Sequence, residues 1–270
     1  MQKIISATAT VILLATVVCK AQDKPVLSPK EHFAFVSLSG GAGIPAGDYA
    51  KFKTITSTAY LGYASDDYCI AGEAKQGFAY KAAAGYMFTR HAGAFVSVFH
   101  SSNPAAIKTG QEIYPSYAYE NSGYHYDVGN HATTDFLLGA TGNVCSDKLT
   151  VAIRIAAGIQ NTLSPETNVV YTYNNPDFSG TYTTSQPKMT SSNFAFNAGL
   201  DLTYNITKRI GITLSEDYVT SHASYSDNIR YVSNFNGITG PLYRESYKAF
   251  NYSKNISVFA ITAGLCYNLR

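Results

Sequence analysis

Residue types used for nucleophilic catalysis occur together between positions 100 and 112. The segment His100-Ser101-Ser102-Asn103 carries an imidazole and a hydroxyl two positions apart, and Glu112 follows ten residues after Ser102. In a strand, residues two apart share one face, so His100 and Ser102 would lie side by side. Acyl-transfer sites combine these groups, but serine and asparagine are also typical of a strand-to-loop junction. The segment alone does not establish a catalytic site.

Five charged residues fall at positions that the strand pattern described below assigns to one interior face. Opposite charges in a narrow interior are expected to pair, because an isolated buried charge is costly. The sequence therefore predicts a polar network that plugs the interior, and the alternative is a narrow pore lined by the same side chains. The five residues are Lys81, Asp135, Arg154, Asp201 and Asp217.

Patterns for metal, nucleotide and nucleic-acid binding are lacking. His91, His125 and His131 have no carboxylates or thiols at metal-ligand spacing, so we expect no metal site. A glycine-rich phosphate loop ahead of a helix is also missing, so we expect no cofactor. The 20 basic residues nearly balance the 18 acidic ones, which does not favour a nucleic-acid partner.

The first 21 residues have the pattern of a secretory signal peptide. Lys3 precedes an uncharged run of about 15 residues, and the small residues Cys19 and Ala21 follow at the positions that a signal peptidase reads. A helix that spans a bilayer needs about 20 apolar residues, so this run is short for a membrane anchor. We predict cleavage before Gln22, a periplasmic lead-in over 22–31 and one domain over 32–270.

Eight segments alternate apolar and polar residues with a period of two, as half-buried strands do. In the sixth, Phe194, Leu200 and Tyr204 lie on one face, and Asn197 and Asp201 on the other. Connections after the second, fourth and sixth segments have three or four residues, whereas the others have roughly 30. The segments cover about 32–43, 77–88, 92–101, 133–144, 149–160, 193–206, 210–221 and 255–269.

This arrangement predicts an all-β protein, an eight-stranded antiparallel up-and-down transmembrane β-barrel with short periplasmic turns and long outer loops. Charged residues make up only 14% of the chain, against about 25% in a typical soluble domain. A ten-stranded barrel stays open as an alternative, because loop residues such as 54–63 could add strands. Four glycines on alternate strands share the inward phase: Gly85, Gly139, Gly199 and Gly264.

The long loops are rich in tyrosine, which offers contact area with a polar tip at little entropic cost. Such loops bind partners or glycans, and the alternative is an aromatic belt with strand extensions above the membrane. The residues are Tyr114, Tyr117, Tyr119, Tyr124 and Tyr126 in the second loop, Tyr171, Tyr173, Phe178 and Tyr182 in the third, and Tyr225, Tyr231, Tyr243 and Tyr247 in the fourth.

Two segments resemble the outer-membrane β-barrel domain family of Gram-negative bacteria, whose architecture is similar to the small OmpA- and OmpX-type barrels. They are Gly43-Ile44-Pro45-Ala46-Gly47-Asp48-Tyr49 and Ala263-Gly264-Leu265-Cys266-Tyr267-Asn268-Leu269. The resemblance implies a place in the bacterial outer membrane, in contact with lipid and lipopolysaccharide. Members of the family serve as adhesins, anchors, small pores or enzymes, so it implies no single activity.

The segment around His100 is in turn similar to the site of the lipid A deacylase barrels. That resemblance implies Ser102 as nucleophile, His100 as its base and Glu112 as the orienting group. We expect instead a non-enzymatic barrel with a plugged lumen and a structural or surface-interaction role, whose outer loops bind an extracellular protein or glycan. A narrow pore and a lipid A-modifying enzyme are the alternatives.

Overall fold

The computed structural model describes residues 32–51, 53–56, 67–71, 73–106, 123–146, 148–175, 178–237 and 240–269. The predicted signal peptide and the predicted lead-in, 22–31, lie outside these residues. Fourteen strands are described: β1 (Phe33–Ala46), β2 (Lys53–Thr56), β3 (Asp67–Ala71), β4 (Glu73–Ala74), β5 (Gly77–Met87), β6 (Ala92–Ala106), β7 (Gly123–Val128), β8 (Asn130–Cys145), β9 (Leu149–Ser164), β10 (Thr167–Asn175), β11 (Phe178–Gln186), β12 (Met189–Asn205), β13 (Ile210–Gly237) and β14 (Gly240–Leu269). A short 3₁₀ helix, Gly47–Ala50, follows β1.

Eight of these strands form a closed antiparallel ring in the order β1, β5, β6, β8, β9, β12, β13 and β14, and β14 pairs back with β1. Each ring strand contains the core of one of the eight predicted segments. The predicted eight-stranded up-and-down barrel is therefore confirmed, and the ten-stranded alternative is wrong. Closure leaves no free strand edge in the barrel wall.

The three short turns share one device, a hydroxyl side chain that accepts backbone N–H bonds at the start of the turn. Thr89 Oγ1 accepts from the amides of His91 and Ala92 at 3.1 and 3.0 Å. Thr207 Oγ1 accepts from the two corresponding amides of its own turn, and Ser146 Oγ accepts from the amide of Leu149. These local bonds fix where each hairpin reverses, as the sequence pattern predicts.

The two last strands are much longer than the predicted segments, because the fourth predicted loop is folded as strand. β13 has 28 residues and β14 has 30, and they pair without interruption from Ile210 with Tyr267 to Gly237 with Gly240. About 10 residues of a strand cross a bilayer, so more than half of this hairpin lies beyond it. The described residues of 222–254, predicted as the fourth outer connection, therefore form the strand extensions that the sequence allowed for these connections.

Beyond the ring, the hairpin continues into a second sheet. β11 pairs with the outer part of β13, β10 pairs with β11, and β7 pairs with β10. We call the sheet formed by β7, β10, β11 and the outer parts of β13 and β14 the raised sheet. The small β2–β3 pair lies in the first outer connection, where the sequence allowed a strand extension. Within the described residues, no helix has the length and apolar character of a membrane span.

Candidate functional site

Four charged side chains meet inside the barrel, one from each of β5, β9, β12 and β13. Lys81 Nζ lies 2.9 Å from Asp217 Oδ2 and 3.5 Å from Asp201 Oδ1. Arg154 Nε lies 2.7 Å from Asp201 Oδ2, and its Nη2 lies 3.0 Å from Asp217 Oδ1. Two cations face two anions, so the charges of this cluster, which we call the lumen quartet, sum to zero.

The surroundings of the lumen quartet hold it in place. Asn197 Nδ2 donates a hydrogen bond of 3.2 Å to Asp217 Oδ1, and the guanidinium of Arg154 lies 5.7 Å from the centre of the Phe95 ring. Gly199 faces the same space, and a Cβ there would come within 2.6 Å of Asp217 Oδ1. The glycine thus leaves room for the ion pairs. The inward phase predicted for all four glycines agrees with the neighbours of each.

Asp135, the fifth predicted member, lies outside the lumen quartet although it is fully buried. Its cross-strand partner on β9 is Gln160. Arg154 instead pairs with Thr141, which lies six positions after Asp135 on β8 and closer to the periplasmic turn. Strand phase brings Asp135 to the interior, but this offset in height keeps it from the cations. Within the described part of the chain, neither carboxylate oxygen of Asp135 has a hydrogen-bond partner.

A second layer of side chains closes the lumen on its outer side. Tyr49, carried by the 3₁₀ helix, is 2% exposed and packs edge-on against His131 with ring centroids 5.5 Å apart. Lys254 Nζ lies 5.6 Å from the centre of the Tyr49 ring. Tyr225 and Tyr252 stack beside it at 4.8 Å. Sequence reasoning missed Tyr49, because the insertion of a loop residue into the barrel has no local periodic signal.

The segment around His100, which the sequence offered as a candidate for catalysis, lies on the outer face of the wall. On β6, residues 95, 97, 99, 101 and 103 are buried in the lumen, so His100 and Ser102 point outward on one shared face. His100 Nδ1 bonds with Thr134 Oγ1 at 2.9 Å, and the Tyr80 ring stacks on the imidazole at 4.8 Å. Glu112 lies outside the described residues. The imidazole is thus engaged with β5 and β8.

The predicted loop tyrosines differ in their burial. Tyr225 and Tyr231 point inward and are buried, and Tyr182 packs against the same core. Tyr243 and Tyr247 stay 61% and 65% exposed on the raised part of β14. The other predicted residues lie outside the described residues or on strands whose side chains are not described there. Tyr225 therefore belongs to the layer that closes the lumen, and Tyr182 and Tyr231 pack against each other in the raised sheet.

The outer surface of the ring is an apolar band. Large side chains that would be buried in a soluble protein are exposed on strand after strand, among them Leu38, Leu138, Ile153, Phe194 and Leu265, each about 60% exposed. Polar and charged residues fill the inside instead. A closed ring of strands with apolar side chains outside and polar side chains inside is stable in a lipid bilayer.

The chain is a transmembrane β-barrel. Glu216 is a charged exception within the apolar band. Its cross-strand partners are Leu200 and Ile261, and the register of β13 continues through it on both sides. The uninterrupted register on both sides shows that no bulge displaces this glutamate. A single half-buried carboxylate is tolerated on the lipid face better than a basic residue.

No protein-family model matches the sequence, and no curated protein matches it. Among solved structures, the chain is similar to a major outer membrane protein from Thermus thermophilus (11% identity, 87% of this chain and 99% of the other covered, TM-score 0.39). It is also similar to Ail of Yersinia pestis (10%, 89% and 100%, 0.37) and to the outer membrane protease OmpT of Escherichia coli (11%, 92% and 99%, 0.34). These likenesses are too distant to indicate an activity, and the assignment as a barrel rests on the closed ring and its apolar band.

Proposed function

We propose that this outer-membrane barrel is a surface-interaction protein whose binding surface is the raised sheet. The supporting observation is the β13–β14 hairpin, which continues beyond the wall and recruits β11, β10 and β7. At about 3.3 Å per residue, a strand that needed only to cross the membrane would end far sooner. A long, ordered sheet outside the cell has a large entropic cost of folding, which a contact function would explain.

The closed lumen supports a role at the surface rather than in transport. An eight-stranded barrel is just wide enough for its own side chains. Here the lumen quartet fills one level, and the layer around Tyr49 fills the next. A pore would need both of these layers to move, so we propose that the barrel serves as an anchor.

We also propose that the barrel has no catalytic role. The nitrogen of His100 that an orienting carboxylate would bind, Nδ1, is bonded instead to the neutral hydroxyl of Thr134, which cannot stabilise an imidazolium as a carboxylate does. The position of His100 on the lipid-facing surface fits a residue of the outer membrane interface equally well.

The proposal is tested by shortening the hairpin. Residues 230–247 are replaced by a two-residue Asn-Gly turn, which joins strands that are already paired at Ile229 and Lys248. Cells that display the full chain are compared with cells that display the short chain for adhesion to surfaces coated with mucin or with fibronectin. We expect the full chain to adhere to at least one surface and the short chain to lose most of that adhesion.

The shortened barrel must still migrate faster on gels without boiling, which checks that the wall has closed. Equal adhesion by the two chains, or none by the full chain to either coating, would contradict the proposal.

A further inference from the structure

Four side chains on the outward face of the raised hairpin are tied together around one carboxylate. Glu245 Oε1 accepts hydrogen bonds of 2.7 Å from both Arg230 Nε and Tyr247 Oη. Glu245 Oε2 accepts one of 2.9 Å from Tyr243 Oη. Residues 243, 245 and 247 share a strand face, and Arg230 is the cross-strand partner of Tyr247. We call this group the tyrosine clamp.

The tyrosine clamp is ordered although it faces solvent. Tyr243 is 61% exposed and Tyr247 65% exposed, yet both phenol hydroxyls are held by the same carboxylate. An exposed aromatic ring normally loses rotamer freedom when a ligand lands on it. Here that freedom is already restricted by the hydrogen bonds, so a ligand that stacks on the rings would bind with less entropic cost.

Charge within the clamp is balanced and stable. The hydrogen bonds from Arg230, Tyr247 and Tyr243, in that order of effect, hold the pKa of Glu245 at about 2, so its carboxylate is ionised at any physiological pH. The guanidinium of Arg230 cancels its charge at 2.7 Å. A charged ligand would have to compete with this ion pair, which favours a neutral ligand.

Hydrogen-bonding groups surround the two rings. Arg230 has five N–H groups, bonds through Nε–H to Glu245, also interacts with both phenol oxygens, and keeps a side chain that is 49% exposed. Each phenol oxygen donates its proton to Glu245. Exposed ring faces beside a guanidinium and phenol oxygens match a sugar, which has apolar C–H faces and hydroxyls around its edge.

We propose that the tyrosine clamp binds a neutral oligosaccharide, with sugar rings stacked on Tyr243 and Tyr247 and hydroxyls bonded to Arg230. The two tyrosines are four residues apart along β14, about 13 Å, so the site spans several sugar units of an extended chain. This inference rests on the proposed surface-interaction function and names its ligand class.

The experiment uses the full-length barrel in lipid nanodiscs and titrates it with linear neutral oligosaccharides of glucose, galactose, mannose or N-acetylglucosamine, measured by calorimetry. We expect at least one of them to bind. Tyr243→Ala and Tyr247→Ala should each weaken that binding roughly tenfold, which corresponds to about 1.4 kcal/mol. Glu245→Gln should weaken it as well, because the rings lose their common anchor.

Leu242→Ala is the matched control, since Leu242 is 61% exposed next to Tyr243 but on the opposite strand face. Its binding should equal that of the original protein. The inference is overturned if no oligosaccharide of the panel binds, if the tyrosine variants bind like the control, or if a uronic acid oligosaccharide binds more tightly than its neutral counterpart. If the doubly substituted Tyr243→Ala, Tyr247→Ala barrel still adheres while the shortened hairpin does not, the clamp proposal fails and the surface function stands.

Discussion

Lys81 Nζ lies 2.9 Å from Asp217 Oδ2, although 136 positions separate the two residues in the chain. Their strands, β5 and β13, are separated in the ring by β1 and β14, so the pair spans the lumen instead of linking neighbours. Lys81 is 4% exposed and Asp217 1% exposed. Contacts of this kind resist any change in the cross-section of the barrel.

Removal of Lys81 should destabilise the barrel strongly. In Lys81→Met, the two aspartates of the lumen quartet would share only Arg154, and a buried charge would lose part of its compensation. We expect a loss of about 3 kcal/mol in the free energy of unfolding, measured by urea titration in detergent and followed by circular dichroism. Lys51→Met is the control, because the Lys51–Asp48 pair is solvent-exposed and should contribute under about 1 kcal/mol. Equal losses in the two variants would show that the ion pairs do not stabilise the wall.

Gly199 should not tolerate a side chain. A Cβ at this position would lie 2.6 Å from Asp217 Oδ1 and 2.9 Å from Arg154 Nη2, so Gly199→Ala must displace the ion pairs. We expect a cost of roughly 1–3 kcal/mol, seen as a lower temperature for loss of the fast-migrating gel band. Gly142→Ala is the matched strand control, because the nearest atom to its Cβ would be 4.0 Å away. A harmless Gly199→Ala would mean that the lumen quartet has room to rearrange.

The barrel should not conduct ions. In planar bilayers we expect no discrete current steps from the original protein, because the lumen quartet and the layer around Tyr49 both fill the interior. Tyr49→Ala alone should stay closed, whereas Tyr49→Ala combined with Lys81→Ala and Arg154→Ala should produce steps, provided that the triple variant still migrates as a closed barrel. Steps from the original protein that change with Lys81 or Arg154 would favour the pore.

Ser102→Ala should leave lipid A unchanged. Mass spectrometry of lipid A from cells that express the original chain, Ser102→Ala or His100→Ala should give one and the same pattern, because the described partner of His100 Nδ1 is the neutral Thr134 hydroxyl and not a carboxylate. Loss of an acyl chain that depends on both Ser102 and His100 would instead support the lipid A-modifying enzyme.

The ring itself was predictable because its signals are local. Alternation with a period of two sets which side chains face the lumen, and a hydroxyl residue at each short connection marks where a hairpin turns. Lys81, Arg154, Asp201 and Asp217 were assigned to the interior on phase alone. The alternation shows which face of a strand a residue occupies, but not its position along the barrel axis. Asp135 was therefore grouped with the other four charges although it lies six positions from the level of Arg154.

Local pattern allowed strand extensions above the membrane but did not identify which residues form the raised sheet. Residues 222–254 are polar and rich in tyrosine, serine and asparagine, which is equally typical of a loop and of a strand with both faces near water. Only pairing with β14 and β11 makes the outer part of β13 a strand, and pairing depends on residues distant in sequence.

The sequence by itself determined that the chain alternates, forms an antiparallel barrel and faces lipid, since each of these follows from residue types at short spacing, whereas strand pairing decided between eight and ten strands. Tertiary structure alone decided which charges meet, that Tyr49 enters the lumen, and that Arg230, Tyr243, Glu245 and Tyr247 share one site. The physical reason is register: the offset between paired strands sets which distant side chains reach the same height, and no short window of sequence contains that offset.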